Sequence, residues 1–150
     1  MFDRTIYDKL TSYCAYQERC AADVRGKLFK LKTDKEDFGS YIERLTEENF
    51  LNEERYVKSF IEAHAKKKWG KTKMKSALLQ KQMNSGLIKK YLDEIVEEDY
   101  TEHIKLLAEK KLRSIKSSSK AETKTKLMRH LLNKGYEMQK ISGVLKELKL

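Results

Sequence analysis

Apolar residues recur three and four positions apart along almost the whole chain, and no proline interrupts them. That spacing is the period of an amphipathic α-helix. Tyr56, Val57, Phe60, Ile61 and His64 form one such stripe. Ile88, Leu92, Ile95 and Val96 form another, as do Ile104, Leu107, Ala108 and Ile115, and Met138, Ile141, Leu145 and Leu148. The two-residue alternation of a half-buried strand is not sustained anywhere. Proline would remove a backbone donor and clash with the preceding turn, so its absence points the same way. The expected fold class is all-α.

Capping residues divide the stripes into helices. Thr33, followed three positions later by Glu36, reads as a capping box. Asn52 suits an N-cap, with Leu51 able to staple onto Tyr56. Gly86 and Gly135 each follow a helical run and suit a left-handed C-terminal cap, and Gly70 separates a lysine-rich helix end from the next helix. Ser118 or Ser119 caps a late helix. Nine helices are expected, over roughly 4–16, 20–31, 34–47, 53–68, 72–84, 87–97, 100–116, 120–133 and 137–148.

An internal repeat is visible at a spacing of 49. Leu78 pairs with Leu127, Met83 with Leu132, Gly86 with Gly135, Leu92 with Ile141, Ile95 with Val144 and Val96 with Leu145. The first third carries a weaker copy: Val24, Leu28 and Leu31 on one helix, Phe38, Ile42 and Leu45 on the next, joined by a longer turn over 32–37 without glycine. Three tandem three-helix units follow, at 1–51, 52–98 and 99–150. Hydrophobic residues make up 39% of the chain, against roughly 45–50% for an average globular protein. Several small cores stacked on one another fit that content better than one large core.

The net charge is +10, and it is uneven. Residues 1–50 hold 9 basic against 10 acidic residues, residues 51–100 hold 11 against 8, and residues 101–150 hold 13 against 5. Such a balance points to a polyanionic partner, a nucleic acid or an acidic groove. The densest cluster is Lys66, Lys67, Lys68, Lys71, Lys73 and Lys75 around Trp69 and Gly70. Its ammonium groups can meet phosphates, the helix start after Gly70 offers free amides, and Trp69 can stack on a base or close the junction between two helices. Lys120, Lys124, Lys126 and Arg129 supply a second basic face on or near one side of a helix. Equivalent helices of units two and three would thus line one positive track.

Other classes of function find no support. There is no phosphate-cradling glycine loop of either common type. His64, His103 and His130 stand far apart, and Glu94, Glu97, Glu98 and Asp99 read as a solvated run near a helix end. No catalytic constellation, cofactor or metal is expected, and the chain is not expected to be an enzyme. Cys14 and Cys20 lie among apolar residues and read as buried free thiols. No stretch approaches a membrane span and none reads as a signal segment, so the expected location is the cytoplasm.

Several segments resemble the RecX regulatory proteins, modulators of the RecA recombinase. Leu51-Asn52-Glu53-Glu54-Arg55-Tyr56-Val57-Lys58-Ser59-Phe60 is similar to that family's Leu-Asn/Asp-Asp-x-Arg-Tyr/Phe-Ala-x-x-Phe segment. A basic helix end follows, then Gly70, Met74 and Leu78 in the spacing of the family's Gly-x-x-x-Ile-x-x-x-Leu. Asp23-Val24-Arg25-Gly26-Lys27-Leu28 sits where the family has Glu-Leu-x-x-Lys-Leu, and Leu131-Leu132-Asn133-Lys134-Gly135-Tyr136 looks like its Leu-x-x-[Arg/Lys]-Gly-[Phe/Tyr]. The order and spacing of these segments span nearly the whole chain. Departures are the longer first turn, Val57 in place of a common alanine, and lysine where relatives often carry arginine.

The resemblance implies three three-helix units in an elongated, curved array. It also implies binding to RecA and in the groove of RecA–DNA filaments, which damps ATP hydrolysis, strand exchange and coprotease activity; a monomer is expected. The basic residues named above would then contact single- or double-stranded DNA or RecA within the filament. The alternative is a general helical nucleic-acid binder that acts without RecA and uses the same lysines.

Overall fold

The computed structural model describes residues 2–150, which form nine α-helices and one short 3-10 turn. The helices are α1 (Arg4–Tyr16), α2 (Ala21–Lys30), α3 (Phe38–Glu47), α4 (Glu53–Lys66), α5 (Lys71–Gln80), α6 (Ser85–Asp93), α7 (Glu97–Leu112), α8 (Lys120–Asn133) and α9 (Met138–Glu147). The described residues contain no strand. They pack as three three-helix units, each with its own apolar cluster. Tyr7, Leu10, Val24, Leu28, Tyr41 and Leu45 centre the first, Val57, Met74, Leu78, Ile88 and Leu92 the second, and Ile104, Leu127, Leu131, Ile141 and Leu145 the third. Helix α7 begins at Glu97, two residues ahead of the unit start expected from the sequence. The accessible surface is 9677 Å², whereas a compact monomer of 17.7 kDa exposes about 7,900 Å². The excess is the signature of an elongated stack of small cores.

Side-chain caps explain where four of the helices begin. The Asp3 carboxylate accepts from the Thr5 and Ile6 amides, Asn52 from Arg55, Asn84 from Leu87 and Ser119 from Glu122. Four residues into the first helix of each unit stands a tyrosine, Tyr7, Tyr56 or Tyr100, whose ring is buried and whose hydroxyl reaches the far side of its unit. Tyr7 donates to Glu48, Tyr56 accepts from Lys81, and Tyr100 donates to Glu137. Burial, then the Glu48 carboxylate, pushes the Tyr7 hydroxyl up to about 12.

Four sequence expectations change. Thr33 caps nothing: its hydroxyl is buried without a partner, and α3 is entered through the 3-10 turn Lys35–Asp37, closed by the Asp37 amide on the Asp34 carbonyl. Leu51 is buried with the first cluster, whereas Tyr56 belongs to the second. Gly86 lies inside the first turn of α6, and the left-handed residue of its turn is Gln82, at φ +64°. The counterpart in unit three is Gly135, at φ +95°. These two turns set the true repeat at 53 residues, not 49. Met74, Leu78, Met83, Ile88 and Leu92 then pair with Leu127, Leu131, Tyr136, Ile141 and Leu145, and all ten are buried. A spacing of 49 slips the match by one helical turn, which keeps the apolar stripe in phase and so hides the error.

Units one and two meet through Cys20 and Ala22, which pack into the second cluster, and through polar and charged side chains. Arg55 pairs with Glu18, Arg25 bonds Gln82, and the Lys81 ammonium lies 2.9 Å from Asp23. Burial pushes the Asp23 carboxyl up, but the Lys81 ammonium and the Cys20 amide outweigh it and hold the group below its ordinary value. A depressed carboxyl stabilises the fold above its unfolded-state pKa, and that stabilisation disappears as pH falls through the folded value. Acidification is therefore expected to lower the melting temperature, and Asp23→Asn to flatten the acid limb of the profile. Parallel acid limbs for the two proteins would remove Asp23 from the linkage.

Candidate nucleic-acid interface and the seam beneath it

The basic segment 66–75 is shaped by a break between two helices. Helix α4 ends at Lys66, Lys67 caps it, and Lys68 takes the left-handed conformation at φ +62°. The chain then reverses through Trp69 to Gly70, the N-cap of α5. Trp69 is half-buried and packs on the second cluster. Its ring centroid lies 4.3 Å from His64, which stacks on Phe60 at 3.9 Å. The His64 Nδ1 is 2.8 Å from the Phe60 carbonyl. The tryptophan therefore closes the junction of two helices, with the Lys73 ammonium 4.1 Å from its ring centroid.

The amides after Gly70, expected to be free for an anion, are already bonded. The Gly70 amide donates to the Lys134 carbonyl at 2.7 Å, the Lys71 amide to the Tyr100 hydroxyl at 2.9 Å, and the Thr72 amide to the Gly135 carbonyl at 3.0 Å. The Tyr136 hydroxyl returns a bond to the Lys68 carbonyl. Units two and three are thus joined backbone to backbone, through the α4–α5 junction on one side and the α8–α9 turn on the other. Glycine is required at both points. A Cβ on Gly70 would overlap the Gly135 carbonyl, and one on Gly135 would overlap the Lys73 Cβ. Burial, then the Glu137 carboxylate, pushes the Tyr100 hydroxyl far above its ordinary value. It therefore keeps its proton to donate to Glu137 while its oxygen accepts from Lys71.

This seam sorts the lysines. Lys71 and Lys73 are half-buried over the Tyr100 and Trp69 rings, and Lys68 is half-buried at the reversal. Lys66, Lys67 and Lys75 are exposed. In unit three Lys120, Lys124 and Arg129 are exposed, while Lys126 is half-buried, 2.9 Å from Glu122 and 3.0 Å from the Lys116 carbonyl. Among the described residues, Lys66, Lys67, Lys75, Lys120 and Lys124 have no carboxylate partner. The four cations of α8 do not share one side. At about 100° per residue, Lys120 and Lys124 continue the stripe of Leu127 and Leu131, whereas Lys126 and Arg129 project on the roughly opposite face. In the register of 53, Lys71 and Lys73 correspond to Lys124 and Lys126.

The structure adds residues that the linear reading passed over. Lys111 and Lys116 come from the end of α7 and the turn after it, and join Lys126, Arg129, His130 and Asn133 around a groove of about 460 Å³. The only local signal for it is the i, i+3, i+4, i+7 spacing of the α8 members. Elsewhere, burial raises the Cys14 thiol to about 11 and lifts Cys20 as well, so both are inert buried thiols. No group of three or more metal-ligating side chains occurs among the described residues, and no described helix is long and apolar enough to cross a membrane.

Residues 97–145 match the family model described as RecX, third three-helix domain. The chain is 34% identical over 126 residues to the regulatory protein RecX of Clostridium botulinum (strain Eklund 17B / Type B), which covers 83% of this chain and 59% of that protein. The chain belongs to the RecX family. A second relative, the regulatory protein RecX of Bacillus mycoides (strain KBAB4), is 28% identical over 144 residues, 95% of this chain and 53% of that protein. The chain thus spans little more than half the length of these curated relatives. Two solved structures share the fold. A crystal structure of regulatory protein RecX aligns with a TM-score of 0.85 at 21% identity, over 95% of this chain and 71% of that one. The structure of RecX from Lactobacillus salivarius aligns with a TM-score of 0.80 at 22% identity, over 97% and 96%. RecX-family membership accounts for the three-unit helical stack.

Proposed function

We propose that this chain is a negative regulator of RecA: it binds RecA and RecA–DNA filaments and inhibits their recombinase, ATPase and coprotease activities. Family membership supplies the partner. The observation in the molecule that carries the reading is the set of exposed lysines without carboxylate partners, Lys66, Lys67, Lys75, Lys120 and Lys124, on units two and three. Their charge is uncompensated and free to meet phosphates, while Lys71, Lys73 and Trp69 brace the surface that carries it. Units 1–51, 52–98 and 99–150 act as successive modules, the near-neutral first one serving for protein contact and the other two for the polyanion. Binding occurs as a monomer lying along the filament groove, in the cytoplasm.

The test is RecA ATP hydrolysis on single-stranded DNA, read together with filament length by electron microscopy. Stoichiometric protein is expected to lower the hydrolysis rate and shorten or destabilise the filaments. Unchanged hydrolysis and unchanged filaments, with retained binding to naked DNA, would leave a general nucleic-acid binder instead.

A further inference from the structure

We infer that the groove where the end of α7 meets α8 is a receptor for a single phosphate group, held by Lys111, Arg129 and His130 with Asn133 beside them. The inference deepens the polyanion reading and rests on it for the physiological source of the phosphate. The groove holds about 460 Å³, and no carboxylate lines it. Its α8 wall presents Lys126, Arg129, His130 and Asn133 on one face, and Lys111 and Lys116 arrive from the α7 side.

The cations in this groove have different tasks. Lys126 is engaged with Glu122 and with the Lys116 carbonyl in the turn after α7, so it is already partnered. Lys111 and Arg129 have no carboxylate partner among the described residues. An arginine fork and an ammonium at one concave site match the several acceptor oxygens of a phosphate.

His130 reports on the charge of this corner. It is half-buried, and burial followed by the Lys111 and Lys134 ammonium groups holds its imidazole below the ordinary value. The charged groups that shift the ring, Lys111 and Lys134, are both cations, and Lys116, Lys126 and Arg129 line the same groove. A bound phosphate would reverse that local field and favour the imidazolium, which would then donate to it. Phosphate binding and proton uptake at His130 are therefore coupled, and binding strengthens as pH falls through the histidine range.

Two sources share this chemistry, a phosphodiester of a DNA strand and free inorganic phosphate, and one experiment separates them. The imidazole signals of the full chain are followed by NMR against pH in chloride buffer, with inorganic phosphate, and with oligothymidylate. The His130 signal is assigned from His130→Gln. The midpoint of His130 is expected to rise by about half a unit or more with oligothymidylate. Lys111→Gln with Arg129→Gln should abolish that rise. A rise with inorganic phosphate alone supports the receptor and assigns it to the free ion. No rise with either probe, while oligothymidylate still binds by fluorescence anisotropy, overturns the receptor and leaves the proposed function standing. If oligothymidylate does not bind at all but inorganic phosphate raises the midpoint, the nucleic-acid reading falls and the receptor stands.

Discussion

Gly135→Ala is expected to destabilise the protein by about 3–5 kcal/mol, and Gly70→Ala by a similar amount. At Gly135 two costs add. The residue sits at φ +95°, where a side chain costs about 1–2 kcal/mol, and the new Cβ would strike the backbone and Cβ of Lys73. At Gly70 the conformation is ordinary, but the Cβ would meet the Gly135 carbonyl and the Tyr136 amide. Backbone cannot rotate aside as a side chain can, so either substitution must open the seam. Opening it breaks the Gly70 and Thr72 amide bonds and the Tyr136 bond to Lys68, each worth about 1 kcal/mol. Against a total stability of about 5–15 kcal/mol, the effect should also divide urea unfolding into two transitions, with unit three released from unit two. Gly26→Ala and Gly143→Ala are the controls. Both glycines are helical with nothing near the new methyl group, so each change should stabilise by about 0.5–1 kcal/mol. A wild-type midpoint for Gly70→Ala would mean that the seam does not hold the units together.

The second large effect concerns the polyanion. Replacing Lys66, Lys67 and Lys75 with glutamine is expected to weaken single-stranded DNA binding by about a hundredfold at low salt. The slope of log K against log salt should flatten by about 0.7 for each phosphate that is no longer neutralised. These three side chains are exposed, so the melting temperature should stay near wild type. Lys71→Gln with Lys73→Gln behaves differently. Those ammonium groups sit over Tyr100 and Trp69, so the change should lower stability as well as affinity. Anisotropy titrations at several salt concentrations read the slopes, and thermal melts separate the two sets. An unchanged slope for the exposed triple variant would take the cluster out of the interface.

The contrast between these two lysine sets marks the limit of what charge in a sequence reveals. A run of lysines shows that positive charge is present. Whether each ammonium faces solvent or an aromatic ring depends on what another unit places against it. Tyr100 lies 29 residues beyond Lys71 and Tyr136 lies 68 beyond Lys68, and no local spacing connects them. The amides after Gly70 show the same effect, since a helix start read as open is closed by a turn more than sixty residues away. The groove formed by Lys111 and Arg129 likewise exists only because α7 folds back onto α8.

By itself the sequence determined the helical class, most helix starts, the three-unit order and the uneven charge. All of these follow from local rules, namely helical periodicity, side-chain caps and composition. It also misled in a way that local rules permit, because a repeat slipped by one turn preserves the apolar stripe and a glycine coincidence reinforced it. Only the tertiary structure decided the register of 53, the placing of Gln82 rather than Gly86 at the left-handed turn, and the division of the basic residues into exposed, braced and groove-lining groups. The reason is physical: burial and hydrogen bonding between units are set by which surfaces meet, and that information is spread over residues far apart in the chain.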